Sequence, residues 1–232
     1  MKFIIGNWKM NGNDIEKSNM VQALSEIQTK NTIILCLPFT LLGGNNKNVI
    51  IGAQDISEHE NGSYTGDISA QMIADTGAKY VIVGHNDRRQ YHHETNETVQ
   101  TKAMMAVKHK LIPIICIGET MEEHKNGDTD SVIKTMLNEC LPESGEFIIA
   151  YEPRWAIGTG ITPTIEQTTK IHKIIFEYLD KHNRGNTPII YGGSITASNA
   201  NQFALIPHVD GLLIGGASLK TETFLPIIKS ID

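Results

Sequence analysis

Residues 147–160 read FIIAYEPRWAIGTG, and this segment is the clearest indication of the fold. It opens with an apolar run as long as a buried strand, and Glu152 stands where that run stops, directly before a proline. The residues that follow contain too much glycine for a helix, so the stretch predicts a strand, a polar strand end and a loop. The carboxylate of Glu152 is either an ion-pair partner that anchors the loop or a general base.

Similar apolar runs recur on both sides of this stretch. We identify eight strand candidates, at residues 3–5, 32–37, 49–53, 80–83, 112–117, 147–150, 188–191 and 211–214. Their apolar character is nearly continuous, which is typical of parallel strands buried on both faces. The runs therefore predict a parallel sheet that helices cover on the outside.

Helix-like segments separate the strand candidates. Two clear examples are residues 14–29 and 164–181, in which we assign apolar residues including Ile15 and Ile165 to one stripe. Thr162-Pro163 is predicted to cap the second of these helices and form its first turn.

Strand and helix alternate with a spacing of about 30 residues per unit, which indicates βαβ units in a closed barrel or an open, doubly wound sheet. No Gly-x-Gly-x-x-Gly follows the first strand, as an open dinucleotide-binding sheet would require, and polar residues cluster after several different strands. We therefore predict an α/β fold, a closed (β/α)8 barrel that forms one domain over residues 1–232.

Composition restricts the partners and the location of the chain. The formal net charge is -6, with no long basic run, so the long-range field repels nucleic acid and anionic membrane surfaces. No run approaches the length of a membrane span, and the apolar run 3–5 is too short for a signal peptide. We expect reduced thiols at the three cysteines, neither nucleic acid nor a membrane as partner, and a cytoplasmic location.

Lys9 and His85 each follow a strand candidate. Lys9 stands after the first strand, at the end where barrel enzymes carry their sites, but a lone lysine is as often a solvated charge. For His85, after the fourth strand, a hydrogen-bonded structural role is the simpler interpretation. The alternative is catalytic, because a helix N-terminus disfavours imidazolium and keeps a histidine neutral.

Glycine pairs follow the last two strands. Gly192-Gly193-Ser194 comes after the seventh strand, and Gly215-Gly216 comes after the eighth. Such pairs can simply permit tight turns. Two pairs at adjacent barrel positions instead favour a phosphate site, in which backbone N–H groups approach the anion.

Metal and nucleophile chemistry have little support in the sequence. No His-Glu-x-x-His and no paired Cys/His spacing occurs, so we predict no metal site. Glu119 and Glu152 could in principle be the two carboxylates of a glycosidase. That assignment would leave the glycine pairs without a role.

Seven fragments together resemble the triosephosphate isomerase family over essentially the whole chain. They are Asn7-Trp8-Lys9, Gly84-His85, Cys116-Ile117-Gly118-Glu119, Tyr151-Glu152-Pro153, Trp155-Ala156-Ile157-Gly158-Thr159-Gly160, Tyr191-Gly192-Gly193-Ser194 and Gly215-Gly216-Ala217-Ser218. The long motif that runs from the glutamate to the glycines is highly specific, whereas the glycine pairs alone are not.

The resemblance implies a role for each matched residue. Glu152 would take the carbon-bound proton of dihydroxyacetone phosphate, neutral His85 would polarise the carbonyl, and Lys9 with Asn7 would stabilise the negative charge. Backbone N–H groups near four residues would hold the phosphate: Gly158, Ser194, Gly215 and Gly216. Residues 156–160 would form a lid, and no cofactor would be required.

The resemblance also implies a homodimer, with Thr65 and Gln54 in the long third loop and Thr65 reaching toward the neighbour's Lys9. Three residues depart from the family pattern. Asn86 and Asp87 stand where serine and glutamate are usual, and Arg154 replaces a small apolar residue in the loop hinge. The shorter Asp87 is expected to weaken its link to Lys9.

Three hypotheses follow. The first is an active isomerase of glycolysis and gluconeogenesis that acts on small-molecule triose phosphates. The second is a catalytically impaired relative that binds sugar phosphates, which the three departures motivate. The third is a different barrel enzyme with a phosphorylated substrate.

Overall fold

The computed structural model describes residues 1–44, 49–156 and 161–232. Eight parallel strands within these ranges form a closed barrel in which each strand pairs with its neighbours in chain order. The strands are β1 Phe3–Asn7, β2 Thr32–Leu37, β3 Ile50–Ala53, β4 Tyr80–Val83, β5 Ile112–Ile117, β6 Ile148–Tyr151, β7 Ile189–Tyr191 and β8 Gly211–Ile214. The predicted barrel and all eight strand candidates are confirmed, four with the predicted bounds and four with ends that differ by one or two residues.

Helices surround the barrel on its outer face. In the described ranges they are α1 Asp14–Glu26, α2 Ala70–Asp75, α3 Asn86–Tyr91, α4 Asn96–Lys108, α5 Met121–Asn126, α6 Thr129–Cys140, α7 Ile165–Lys181, α8 Ala200–Ala204 and α9 Thr221–Ile231. The alternation of strand and helix is incomplete at one place. Between β2 and β3 the described residues hold only a 3-10 turn, Phe39–Leu41.

The strands are buried on both faces, as their continuous apolar character predicts. In β1, Ile5 belongs to the cluster that fills the barrel interior, whereas its neighbour Ile4 packs in the layer between barrel and helices. Alternate residues of a strand point to opposite faces, so one run must serve both layers. All three cysteines are buried and free, as expected.

Two details of the helix predictions are wrong. Ile15 is 73% exposed and Ile165 is 40% exposed, although the sequence pattern assigns both to apolar stripes. Each lies six positions before the next assigned residue, which places it about 240° around the helix and off the buried face. The cap of α7 is Thr164, whose side chain accepts from the N–H of Gln167, and not Thr162-Pro163.

No helix among the described residues is long and apolar enough to cross a membrane.

Candidate active site

A cavity of about 440 Å³ opens at the C-terminal ends of the strands. It is lined by segments that follow five different strands, and it gathers seven of the residues singled out in the sequence: Asn7, Lys9, His85, Glu152, Ser194, Gly215 and Gly216. Gly158, predicted to contact phosphate, lies outside the described residues. Gln54 and Thr65 are not among the residues that line this cavity.

A larger cavity, of about 530 Å³, opens at the opposite end of the barrel, where Phe3, Tyr80 and Ile112 begin their strands. None of the candidate catalytic residues lines it. Barrel enzymes carry their chemistry at the C-terminal ends of the strands. The smaller cavity is therefore the candidate active site.

Glu152 is the first residue after β6 and is 3% exposed. Its Oε1 lies 3.1 Å from Nε2 of His85, and its Oε2 accepts a hydrogen bond of 3.2 Å from the backbone N–H of Asn86. Burial raises the pKa of Glu152, but His85, Asn86 and Lys9 together outweigh burial and hold this pKa below its usual value. The side chain is thus an ionised carboxylate with little competing solvent, which suits a general base.

Gly118 allows the backbone that carries Glu152 to sit where it does. A Cβ on Gly118 would lie 1.7 Å from the carbonyl oxygen of Glu152. Any side chain there would push β5 and the loop after β6 apart. This glycine is required by a close backbone approach and not by a positive φ.

Glu119 has a structural role and does not line the cavity. It is 1% exposed and accepts hydrogen bonds from the Tyr151 hydroxyl at 3.2 Å and from Trp155 Nε1 at 2.7 Å. It is absent from the residues that line the site. Glu119 and Glu152 therefore do not form the facing pair of carboxylates that a glycosidase needs.

His85 is the N-cap residue of α3 and is 5% exposed. Its Nδ1 accepts a hydrogen bond of 3.0 Å from the N–H of Asp87, so the proton of the neutral ring belongs on Nε2, which faces Glu152. Burial lowers the pKa of His85, but Glu152 and then Asp87 raise it by more. Glu152 is the largest raising contribution, so the pKa of His85 would fall if this carboxylate moved away toward a substrate.

Lys9 is held in an unusual conformation beside the cavity. Its φ is 52°, in the left-handed region that non-glycine residues seldom adopt, and its N–H donates to the Asn7 side chain at 3.1 Å. Its Nζ lies 3.0 Å from Oδ2 of Asp87. The ammonium group is thus directed into the site with one carboxylate counter-ion, and the shorter Asp87 reaches it.

The backbone of the glycine pairs faces the cavity. None of Gly192, Gly193, Gly215 and Gly216 has a positive φ, so the turns do not require glycine for that reason. A Cβ on Gly216 would meet no atom within 4 Å, and one on Gly215 would meet only Lys9, at 3.7 Å. Side chains there would project into the space that a ligand would use.

The N–H groups of Ser194, Gly215 and Gly216 make no hydrogen bond to other described parts of the chain. Together with Lys9 they leave an anion several donors at one end of the cavity. For Gly215-Gly216 this arrangement favours the phosphate interpretation over the turn interpretation. At Gly192 and Gly193 packing also requires glycine, because a Cβ would lie 2.9 Å from Glu152 and 1.9 Å from the Tyr191 hydroxyl.

One contact at the edge of the site and two apolar residues of its wall were not predicted from the sequence. Nε of Arg154 donates to Oδ1 of Asn86 at 2.7 Å, which joins two of the departures from the family pattern. Leu213 and Ile195 contribute apolar walls. The inward position of Leu213 could have been found from the alternation along β8, but the Arg154–Asn86 contact spans 68 residues and leaves no local signal.

The fold and this site define a class: a (β/α)8 barrel enzyme whose cavity combines a buried carboxylate, an imidazole, an ammonium group and free backbone donors. Residues 2–231 match the family model described as triosephosphate isomerase. The chain belongs to the triosephosphate isomerase family.

Individual relatives agree with the family model. The chain is 41% identical over 247 residues to a triosephosphate isomerase of Chlamydia trachomatis serovar L2, covering 100% of this chain and 90% of the relative. It is 40% identical to that of Mycoplasma mobile, covering 98% and 99%. A crystal structure of the Bartonella henselae triosephosphate isomerase superposes with a TM-score of 0.89 at 34% identity, covering 99% of this chain and 98% of that one.

These similarities decide against the third hypothesis, a different barrel enzyme, and give no support to the catalytically impaired alternative.

Proposed function

We propose that this chain interconverts dihydroxyacetone phosphate and D-glyceraldehyde 3-phosphate by proton transfer through an enediolate. The observation that carries the proposal is the geometry of Glu152 and His85: a carboxylate and an imidazole, 3.1 Å apart, line one cavity that also has unpaired backbone donors for a phosphate. Membership of the triosephosphate isomerase family supports it.

In the proposed reaction Glu152 acts on carbon and His85 acts on oxygen. Glu152 takes the proton from C1 of dihydroxyacetone phosphate, the C–H electrons form the C1–C2 double bond, and the carbonyl oxygen receives the negative charge. Nε2–H of His85 donates to that oxygen and then mediates proton exchange between the two oxygens. Glu152 returns its proton to C2, and the aldehyde forms at C1.

Lys9 and Asn7 would stabilise the charge that develops on the oxygens. A preorganised donor of this kind typically contributes about 3–4 kcal/mol to the transition state. The chain has a net charge of -6, so the local cation at Lys9, and not the overall field, would have to capture the anionic substrate.

The phosphate would be held by backbone N–H groups of Ser194, Gly215 and Gly216. The sequence predicts a further N–H contact near Gly158. Fixing the phosphate makes the proton transfers effectively intramolecular. Residues 156–160 stay a predicted lid, and 157–160 lie outside the described residues. No step of the proposed reaction requires a metal or an organic cofactor.

The partner and location follow the family. We infer a homodimer in which Thr65 approaches the partner subunit's active site and Gln54 supports the same loop. Exposed apolar side chains lie on this side of the barrel, among them Met10 at 96% and Tyr64 at 46% exposure. A cytoplasmic location and a role in glycolysis and gluconeogenesis accord with this activity.

A coupled assay with D-glyceraldehyde 3-phosphate tests the proposal directly. We expect turnover without added metal, and inhibition by a stable analogue of the enediolate. Folded protein that binds phosphate but does not convert the substrate would overturn the proposed function. It would support the catalytically impaired alternative instead.

A further inference from the structure

Two residues that depart from the family pattern contact each other at the edge of the active site. Nε of Arg154 donates to Oδ1 of Asn86 at 2.7 Å. The backbone N–H of the same Asn86 donates to Oε2 of Glu152 at 3.2 Å. One buried asparagine thus contacts the proposed base through its backbone and the arginine through its side chain.

We propose that Arg154 and Asn86 form a pair of positioning residues that hold the carboxylate of Glu152, an inference that rests on the proposed function. Neither side chain is needed for proton transfer itself. Their role is to fix the start of α3 against the segment after β6, so that the Asn86 N–H remains aligned with Glu152.

The connectivity of the segment supports this role. Arg154 follows Glu152 by two residues, and its own N–H donates to the carbonyl oxygen of Glu119 at 3.1 Å. Its side chain then turns back to Asn86. The chain from Glu152 to Arg154 is therefore attached to the first residue of α3 at both ends, which closes a ring of contacts around the base.

The surroundings of Arg154 disfavour its positive charge. Burial and then the nearby Arg89 lower the pKa of this guanidinium, while Glu123 and Glu152 act in the opposite direction. A partly buried cation beside another arginine needs a compensating partner. The Oδ1 atom of Asn86, which is 7% exposed, provides a fixed neutral acceptor.

The departures at positions 86 and 154 therefore act together. Asparagine supplies an acceptor that projects far enough to meet the arginine, and arginine fills a hinge position with a donor that reaches α3. The contact leaves the Asn86 N–H free for Glu152. Loss of either side chain should therefore let the Asn86 N–H move out of alignment with Glu152.

The test is a double-mutant cycle with kinetics. Asn86→Ala removes Oδ1 but keeps the N–H that contacts Glu152, and Arg154→Met removes the donor. We expect each single variant to lower kcat by roughly 10- to 100-fold with KM changed less than about threefold, because a small displacement of a base is costly. The double variant should be no worse than the poorer single one.

The pH profile separates positioning from general destabilisation. Loss of the aligned N–H should raise the pKa of Glu152, so the acidic limb of kcat/KM should move to higher pH in both single variants. Loss of the Arg154 charge adds to this shift in Arg154→Met only. Arg154→Lys should recover part of kcat, because it restores a charged donor. Arg184→Met is the control: its guanidinium donates to the carbonyls of Pro142 and Glu143, away from the site, so it should lower Tm without moving the limb.

The inference is overturned if Arg154→Met keeps the wild-type kcat and acidic limb, or if the two single effects multiply in the double variant. Failure of the proposed function is a separate result, because it would appear as absent turnover in the wild-type protein before any variant is made.

Discussion

Glu152, the proposed base, is a buried carboxylate that its polar and charged neighbours keep ionised. Glu152 is buried, yet His85, Asn86 and Lys9 keep its pKa below its usual value. We predict that Glu152→Gln folds normally and loses roughly 10³–10⁴-fold in kcat with a smaller change in KM, because the amide keeps the shape but not the basicity. Exchange of the substrate's carbon-bound hydrogen with solvent deuterium measures this step.

Glu166→Gln is the matched control for Glu152→Gln, since Glu166 is an exposed residue in the first turn of α7. It should leave both exchange and turnover unchanged. Wild-type exchange in the Glu152 variant would show that another group removes the proton.

Lys9 combines strain and charge at one position. Its left-handed φ of 52° and its 3.0 Å contact with Asp87 direct the ammonium group toward the cavity. We predict that Lys9→Ala keeps the fold and loses about 10²–10³-fold in kcat, the range found for single preorganised donors. Kinetics at saturating and limiting substrate, with the exposed Lys173→Ala as control, measure it; near-normal constants would remove Lys9 from the proposed mechanism.

At the scale of elements, a buried ionic cluster joins the loop after β3 to α3 and α4. Asp55 contacts Lys102 at 2.7 Å and Arg88 at 2.9 Å, and Lys102 and Arg88 also contact Glu94. Burial raises the pKa of Asp55 to about 6, with Lys102 lowering it, Glu94 raising it and Arg88 lowering it. In the unfolded chain an aspartate titrates near ~3.9. The folded protein therefore binds this proton more tightly.

The cluster predicts a pH-dependent contribution to stability with a definite sign. Protonated Asp55 favours the folded state, so its contribution is present below about pH 4 and is lost as pH rises through about 6. Between pH 5 and pH 7 the loss is about 1 kcal/mol. We predict that the free energy of unfolding of Asp55→Asn, relative to wild type, increases by about this amount from pH 5 to pH 7.

Urea unfolding at the two pH values measures the difference for Asp55→Asn, and the exposed Asp75→Asn is its control. Comparing variant with wild type cancels the titration of histidines in the same range. An identical difference at both pH values would mean that Asp55 has no raised pKa in the folded protein.

Elements differ in how much of them the sequence determines. Buried parallel strands such as β5 are evident because one continuous apolar run must serve two layers. Helix faces are less evident: the stripe assigned to α1 includes Ile15, which the six-residue gap to Val21 places off the buried face. The cavity lining at Lys9 and Gly215 follows from position after a strand, since all parallel strands present their C-terminal ends at one face.

Contacts between distant side chains are the part that no local pattern contains. The Arg154–Asn86 hydrogen bond depends on the path of the loop after β6 and on the rotamers at both positions. The sequence identified both as unusual but could not indicate that they meet. Asp87 shows the same limit, because its 3.0 Å contact with Lys9 depends on the backbone and not on the length of the side chain alone.

For the whole molecule, the described residues of one chain already bring the proposed catalytic groups together. The proposed dimer would therefore act by supporting the loops around the site, not by supplying a catalytic group. Both the single domain over 1–232 and the homodimer remain predictions. A single cooperative unfolding transition would agree with the first. The second raises the question of what covers the exposed apolar side chains of Met10 and Tyr64.

The homodimer prediction concerns Thr65, an exposed residue in the loop between β3 and α2. If this loop enters the partner subunit near its active site, Thr65→Arg places a long charged side chain in a closely packed contact and should shift the protein toward monomer. Activity should then fall at low protein concentration and recover at high concentration, because an isolated protomer would lose the support beside Lys9.

Sedimentation velocity over a range of concentrations, read together with specific activity, measures both effects. Thr135→Arg is the matched control: it adds the same side chain at an exposed position of α6, on the outer layer of the barrel. It should change neither sedimentation nor activity. A Thr65→Arg protein that remains dimeric and fully active would place the interface elsewhere, whereas a fully active monomer would show that the site is complete in one chain.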